Sequence, residues 1–301
     1  MTETAPEHPR ESLPLDSTAQ LLTRITSQLG NQLSLVSPNG TRRPMHRIRT
    51  SAPTLVAVAH GSRDPQALRT VLELLDRVRE LRPGLDVRLG HIELNEPLLP
   101  DTLDGIPGGD AVLVPLLLGR GHHVRHDLPR TASAARHLRT RVAAPLGPHP
   151  LLVEALYERL VEAGWRDEDG TSRSAAVVLA AAGSRDPDSD VDARRTAALL
   201  SDRLGGVPVV PAYASAASPT VPAALRALAA RGRHRTAVAS YFTAPGRFAT
   251  VSAAAAPGIA AAPLGAHPAM ARLLLHRYDQ AAAGTDPAHD ALTHPRLLAS
   301  A

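Results

Sequence analysis

Histidines and carboxylates gather at three places in the first half of the chain. His60 opens His-Gly-Ser-Arg at 60–63; His91, Glu93 and Glu96 follow; His122, His123 and His126 lie within the run 119–126. Imidazole and carboxylate together are the donor set of a borderline divalent metal such as iron, cobalt, nickel or zinc. A neutral imidazole near pH 7 is also a competent proton acceptor. Taken singly, each residue has a plainer reading: a capping histidine, an exposed loop acid, a solvated loop.

Several other chemistries are excluded. The chain has no cysteine, so it offers no thiolate zinc site, iron–sulfur cluster, disulfide or cysteine nucleophile. All 33 of its Lys+Arg residues are arginine, so a phosphate loop with its lysine is absent. No Gly-x-Gly-x-x-Gly follows a strand, and no Gly-x-Ser-x-Gly elbow occurs. Ala59 stands before His60, where a phosphohistidine phosphatase needs arginine.

Strands alternating with helices must position these groups. Thr54–Ala59 reads as a strand, and Asp64-Pro65 as the cap and first residue of a helix. Leu68, Val71, Leu72, Leu75 and Val78 give that helix one apolar face. Strands at Leu85–His91 and Asp110–Leu116 follow, with helices opened by Pro97 and Asp127 and a last one at Leu151–Ala163. The same order recurs later: strands at Ala175–Ala181, Val207–Tyr213 and Thr236–Phe242, helices after Asp186 and Pro219. The expected fold is α/β: two similar duplicated domains, each a parallel sheet flanked by helices, with a cleft between them. Ligands of such sheets bind beyond the carboxyl ends of the strands, where the histidines fall.

The duplication is visible in the residues themselves. Gly61-Ser62-Arg63-Asp64-Pro65 recurs as Gly183-Ser184-Arg185-Asp186-Pro187, and Pro145-Leu146-Gly147 as Pro263-Leu264-Gly265. Glu96-Pro97 aligns with Ser218-Pro219, and Gly121 with Gly246. The candidate ligands do not recur. Ala182 stands for His60, Ser215 for Glu93, Arg247 for His122 and Phe248 for His123. His149 and His267 occur in both copies and so read as structural; His137 and His234 read as surface residues. The first half is therefore expected to carry the metal chemistry and the second to supply the opposite wall.

Residues 53–165 and 173–285 are the expected domains. Residues 1–52 are expected to be a disordered extension with a short helix near Ser17–Leu29, and 286–301 a tail. The stretch 1–10 lacks the apolar core of a signal peptide and no apolar run is long enough for a membrane helix, so a cytoplasmic protein is expected. The formal charge is +4, with arginines dispersed among 29 acids and 2% aromatic residues. Nucleic-acid binders concentrate basic residues and stacking aromatics, so an acidic small molecule is the better partner.

Val58-Ala59-His60-Gly61-Ser62-Arg63-Asp64-Pro65, Glu93-Leu94-Asn95-Glu96-Pro97 and the run Val114–Pro129 resemble the sirohydrochlorin chelatases of the CbiX/SirB type, class II tetrapyrrole chelatases, in their long two-repeat form. The resemblance spans about residues 54–283. It implies insertion of Fe²⁺ into sirohydrochlorin to give siroheme, or of Co²⁺ for cobalamin. It implies a metal site of His60, Glu93 and His123, the last fixed by the register of Asp127-Leu128-Pro129. The same His60, Glu93 and His123 would be the catalytic residues. The metal is then a substrate, with no permanently bound cofactor, and the chain a monomer of two fused repeats. Ser62, Arg63, Arg120, Arg125, Arg185 and Arg247 lie near the strand ends and are the candidate contacts for the carboxylates of sirohydrochlorin. The rival of another class is a divalent metal carrier that never touches a tetrapyrrole.

Overall fold

The computed structural model describes residues 52–284. The expected extension, its helix near Ser17–Leu29 and the tail lie outside the described residues. Two four-stranded parallel sheets have the same order. The first is built of β1 (Thr54–Ala59), β2 (Val87–His91), β3 (Gly109–Pro115) and β4 (Leu138–Val142), ordered β2-β1-β3-β4. The second is built of β5 (Ala175–Ala181), β6 (Val209–Tyr213), β7 (Arg235–Tyr241) and β8 (Ile259–Ala260), ordered β6-β5-β7-β8. The fold class read from the sequence is the one observed.

Helices α1 (Pro65–Leu81), α2 (Leu99–Asp104), α3 (Leu128–Ala134), α4 (Pro150–Glu162) and α5 (Asp167–Thr171) belong to the first half of the chain. Helices α6 (Pro187–Arg203), α7 (Val221–Ala229), α8 (Arg247–Ala254) and α9 (Pro268–Ala283) belong to the second. Asp64 and Asp186 cap α1 and α6 through their side chains, with proline in the first turn, as their Asp-Pro pairs predict. Pro97 does not open α2. It follows Glu96 through a cis peptide bond, and α2 begins at Leu99 with Leu98 as its cap. The strands β4 and β8 were not expected. The first is an edge strand reading Leu-Arg-Thr-Arg-Val, the second two residues long, and neither carries the apolar run that marks the central strands.

The central strands are buried on both faces, and alternate residues enter different cores. Leu55, Ala57 and Ala59 point into one cluster while Val56 and Val58 point into another with Leu99, Leu103 and Leu128. In β5, Val177 and Leu179 join the first cluster while Ala176 and Val178 face Val221 and Leu228. The cluster shared by both sheets is the main core of the molecule.

The last helix of each repeat is what joins them. Helix α4 packs on α6 and β7 of the second repeat, and α9 packs on α1 and β3 of the first. Leu152, Leu156 and Leu160 of α4 and Leu273 and Leu274 of α9 are fully buried or nearly so in the shared core. Each such side chain contributes about 1.5–3 kcal/mol by burial. Polar contacts follow the exchange: Tyr278 donates to Pro53 O at 2.6 Å, and Arg159 to Leu264 O at 3.1 Å. The repeat boundaries along the chain are thus not packing boundaries, because each sheet is covered by a helix of the other repeat. Among the described residues no helix is long and apolar enough to cross a membrane.

Candidate active site

The loops after β1 and β2 are locked together by backbone. Glu93 N donates to His60 O at 3.0 Å, and Ser62 N donates to Asn95 Oδ1 at 2.7 Å. Gly61 has φ +100° and lies so close to the Glu93 carbonyl that a Cβ there would stand 1.8 Å from its oxygen. Only glycine permits that approach. The result sets the side chains of His60 and Glu93 next to each other, with Nδ1 3.6 Å from Oε1.

The loop after β3 supplies the third group. Residues His123–Asp127 form a single π-helical turn running directly into α3. Residues four apart on such a turn share a face, and Asp127 Oδ2 accepts from His123 Nδ1 at 2.7 Å. With Nδ1 bonded to the carboxylate, Nε2 is the nitrogen that can take a proton or a metal. The His123 ring stands edge-on to His60, centroids 5.0 Å apart. His60 is therefore the common neighbour of Glu93 and His123. Among the described residues no three such side chains close into a coordination shell.

The other histidines separate by position. His122 lines the cleft and is exposed, its ring 4.8 Å from that of His126, which is not among the cleft-lining residues. His91 also lines the cleft but is 2% exposed, its Nδ1 donating to Pro97 O. Glu96 accepts from Leu98 N. His149 and His267 cap α4 and α9 by accepting from Leu151 N and Ala269 N, each at 3.1 Å, which explains their recurrence in both repeats. His137 and His234 are exposed.

The cleft has a volume of about 940 Å³ and is lined from both repeats, mostly by apolar groups. Ser62, Arg63, Arg120 and Arg247 line it; Arg125 and Arg185 are not among the lining residues. Arg120 and Arg125 have another occupation. Asp192 of α6, 4% exposed, accepts from Arg120 N at 2.8 Å, from Nε at 3.0 Å and from Nη2 at 2.7 Å. These bonds raise the guanidinium pKa of Arg120 further. Arg125 pairs with Asp188 and, at 3.5 Å, with Asp186. Both arginines tie the loop that carries His123 to carboxylates of the second repeat. Tyr241 adds to this: its buried hydroxyl donates to Leu118 O at 2.8 Å, and burial pushes its pKa up.

Asp127, Asp192 and Tyr241 were not picked out as site residues from the sequence. The His-x-x-x-Asp spacing at 123–127 was a usable signal for Asp127, which read instead as a helix cap; its side chain makes no capping bond. Nothing local signals Asp192 or Tyr241.

A family model described as CbiX matches residues 54–163 and again 176–281. A sirohydrochlorin ferrochelatase of Bacillus subtilis is 29% identical over 172 residues, 55% of this chain and 64% of that protein, so the chain spans a little under two thirds of its length. A sirohydrochlorin cobaltochelatase of Methanosarcina barkeri is 27% identical over 123 residues, 36% of this chain and 95% of that protein. Among solved structures, SirB from Bacillus subtilis with Fe³⁺ superposes with a TM-score of 0.64 at 25% identity, covering 77% of this chain and 96% of that one. A SirB complex with cobalt, from Bacillus subtilis subspecies spizizenii, shares the fold at 22% identity and a TM-score of 0.61.

Proposed function

The chain belongs to the CbiX family, and from that premise we propose that it inserts Fe²⁺ into sirohydrochlorin to give siroheme. The observation that carries the reading is the pairing of His60 and His123 on one wall of a two-walled cleft, with Glu93 beside His60. The metal and the macrocycle are both substrates. The cleft volume, about 940 Å³, is in the range of small-molecule sites and suits a flat tetrapyrrole.

Insertion requires that pyrrole N–H protons leave as the metal enters. His60 and His123 are the acceptors, with Asp127 holding His123 in the tautomer whose Nε2 is basic. Glu93 beside His60 supplies negative charge toward an arriving cation. Arg63 and Arg247, exposed on opposite walls, receive the carboxylates of sirohydrochlorin together with Ser62. Binding energy spent on those remote groups bends the macrocycle toward the metal. One chain supplies both walls, so a monomer is sufficient, and the cysteine-free sequence suits the reducing cytoplasm.

The second reading keeps the site and changes the metal to Co²⁺. It is favoured by the cobaltochelatase relatives, and the donor set accepts either ion. The test is anaerobic insertion followed by absorbance, with sirohydrochlorin and either Fe²⁺ or Co²⁺ against a protein-free control. Acceleration with Fe²⁺ is expected. Acceleration with Co²⁺ alone would move the assignment to the cobalt enzyme. Metal binding without acceleration by either would overturn the chelatase reading in favour of a metal carrier.

A further inference from the structure

The second repeat carries Ala182, Ser215 and Phe248 where the first carries His60, Glu93 and His123, and Arg247 where it carries His122. Ala182 and Ser215 are small, and Ser215 turns its hydroxyl back to Ala182 O at 3.0 Å. At the position of His123 stands Phe248, 39% exposed although it is a large apolar side chain. The chain contains 2 phenylalanines, and both Phe242 and Phe248 line the cleft. In a protein with 2% aromatic residues, that placement is selective.

The surroundings give the ring a direction of use. The loop after the third strand of each repeat meets the loop after the first strand of the other: Gly121 lies beside Ser184, and Gly246 beside Ser62, so that a Cβ on each would stand 3.8 and 3.9 Å from the serine Oγ. Phe248 follows Gly246 by two residues, at the start of α8, and therefore enters the cleft from the wall opposite His60. Leu94, 52% exposed and at φ +68°, lines the cleft from the first repeat. Apolar surface left open on both walls, with arginines 63 and 247 at hand, fits a ligand with flat apolar faces and an anionic rim.

We infer that Phe248 is a stacking contact for the face of a conjugated macrocycle, so that the second repeat holds the substrate where the first repeat holds the metal. The inference rests on the chelatase reading and deepens it. A ring stacked on a π-system contributes more than its buried area alone, so removal costs about ten-fold in affinity.

The experiment is an anaerobic titration of the full chain with metal-free sirohydrochlorin, read by absorbance, for the wild type and for Phe248→Ala, Phe248→Leu and Phe248→Tyr. Co²⁺ binding and the melting temperature of each variant are recorded alongside. The expected result is a dissociation constant about ten-fold higher for Phe248→Ala, an intermediate value for Phe248→Leu, and near-wild-type binding for Phe248→Tyr, with melting temperature and Co²⁺ binding unchanged. Wild-type affinity in Phe248→Ala would overturn the inference while leaving the chelatase reading intact. Wild-type affinity in Phe248→Leu would reduce the ring to an apolar cover and overturn stacking. A wild type that binds no sirohydrochlorin would overturn the chelatase reading itself, and the stacking contact with it.

Discussion

The two repeats are the same structure with different contents. At the loop after the first strand, Ser62 accepts from Asp64 N at 3.1 Å and Ser184 accepts from Asp186 N at 3.0 Å. Gly61 and Gly183 make the same close approach, a Cβ falling 1.8 and 1.9 Å from the carbonyls of Glu93 and Ser215. Leu94 and Ala216 both adopt positive φ, and Glu96-Pro97 and Ser218-Pro219 are both cis. The same backbone carries Ala182, Ser215 and Phe248 in one repeat and His60, Glu93 and His123 in the other. The scaffold recurs because each sheet is covered by a helix of the other repeat.

The largest contrast is expected from the groups that differ. His60→Ala and His123→Ala should each lower the insertion rate by at least about a hundred-fold, the typical contribution of a positioned proton acceptor. Neither should move the melting temperature by more than a few degrees, since both side chains are partly solvated. Stopped-flow absorbance of the insertion reaction checks the first and calorimetry the second. Wild-type rates in both variants would mean that the repeats do not differ in the way drawn.

A smaller effect tests whether the second repeat positions the first. Asp192 bonds Arg120 on the loop bearing His123, and under the chelatase reading it should position that loop. Asp192→Asn should lower kcat about ten-fold with little change in KM for sirohydrochlorin, and Asp192→Glu should recover part of the loss. A stability loss of about 1–3 kcal/mol is expected alongside, because Asp192 is buried and its partner stays charged. If kcat held while only stability fell, Asp192 would be structural alone.

The smallest effect should appear in both repeats. His149→Ala and His267→Ala each remove a helix cap and should each cost about 1 kcal/mol in urea denaturation. His267 also bonds Glu158 at 2.8 Å and is 4% exposed, so its loss should be the larger of the pair. Turnover per folded molecule should not change for either. A His149→Ala variant that unfolds normally but turns over slowly would give that histidine a part in the chemistry.

Much of this was legible without the structure where the signal is local. An Asp-Pro pair caps a helix wherever it occurs before an amphipathic run, and α1 and α6 begin as that predicts. The apolar runs of β1 and β5 announce strands buried on both faces. The edge strands were missed for the converse reason: β4 carries arginine at alternate positions, and pairing with β3 holds it in place. Among the site residues, His60 and Glu93 could be placed because each follows a strand. Arg120 and Arg125 could be placed near the strand ends, but their partners could not.

The sequence by itself determined that the protein is a duplication, that one copy holds the imidazoles and the carboxylate, and that the other holds alanine, serine and phenylalanine in their stead. These are properties of residue identity and order, and they survive any arrangement of the two halves. The tertiary structure alone decided that α4 and α9 are exchanged between sheets, that Arg120 and Arg125 are held by carboxylates of α6, and that Asp127 serves His123 and caps nothing. Arg120 and Asp192 are far apart in the chain, and no periodicity or cap signal links them. Whether a charged side chain meets a ligand or a partner in its own protein depends on which surfaces the folded core brings face to face.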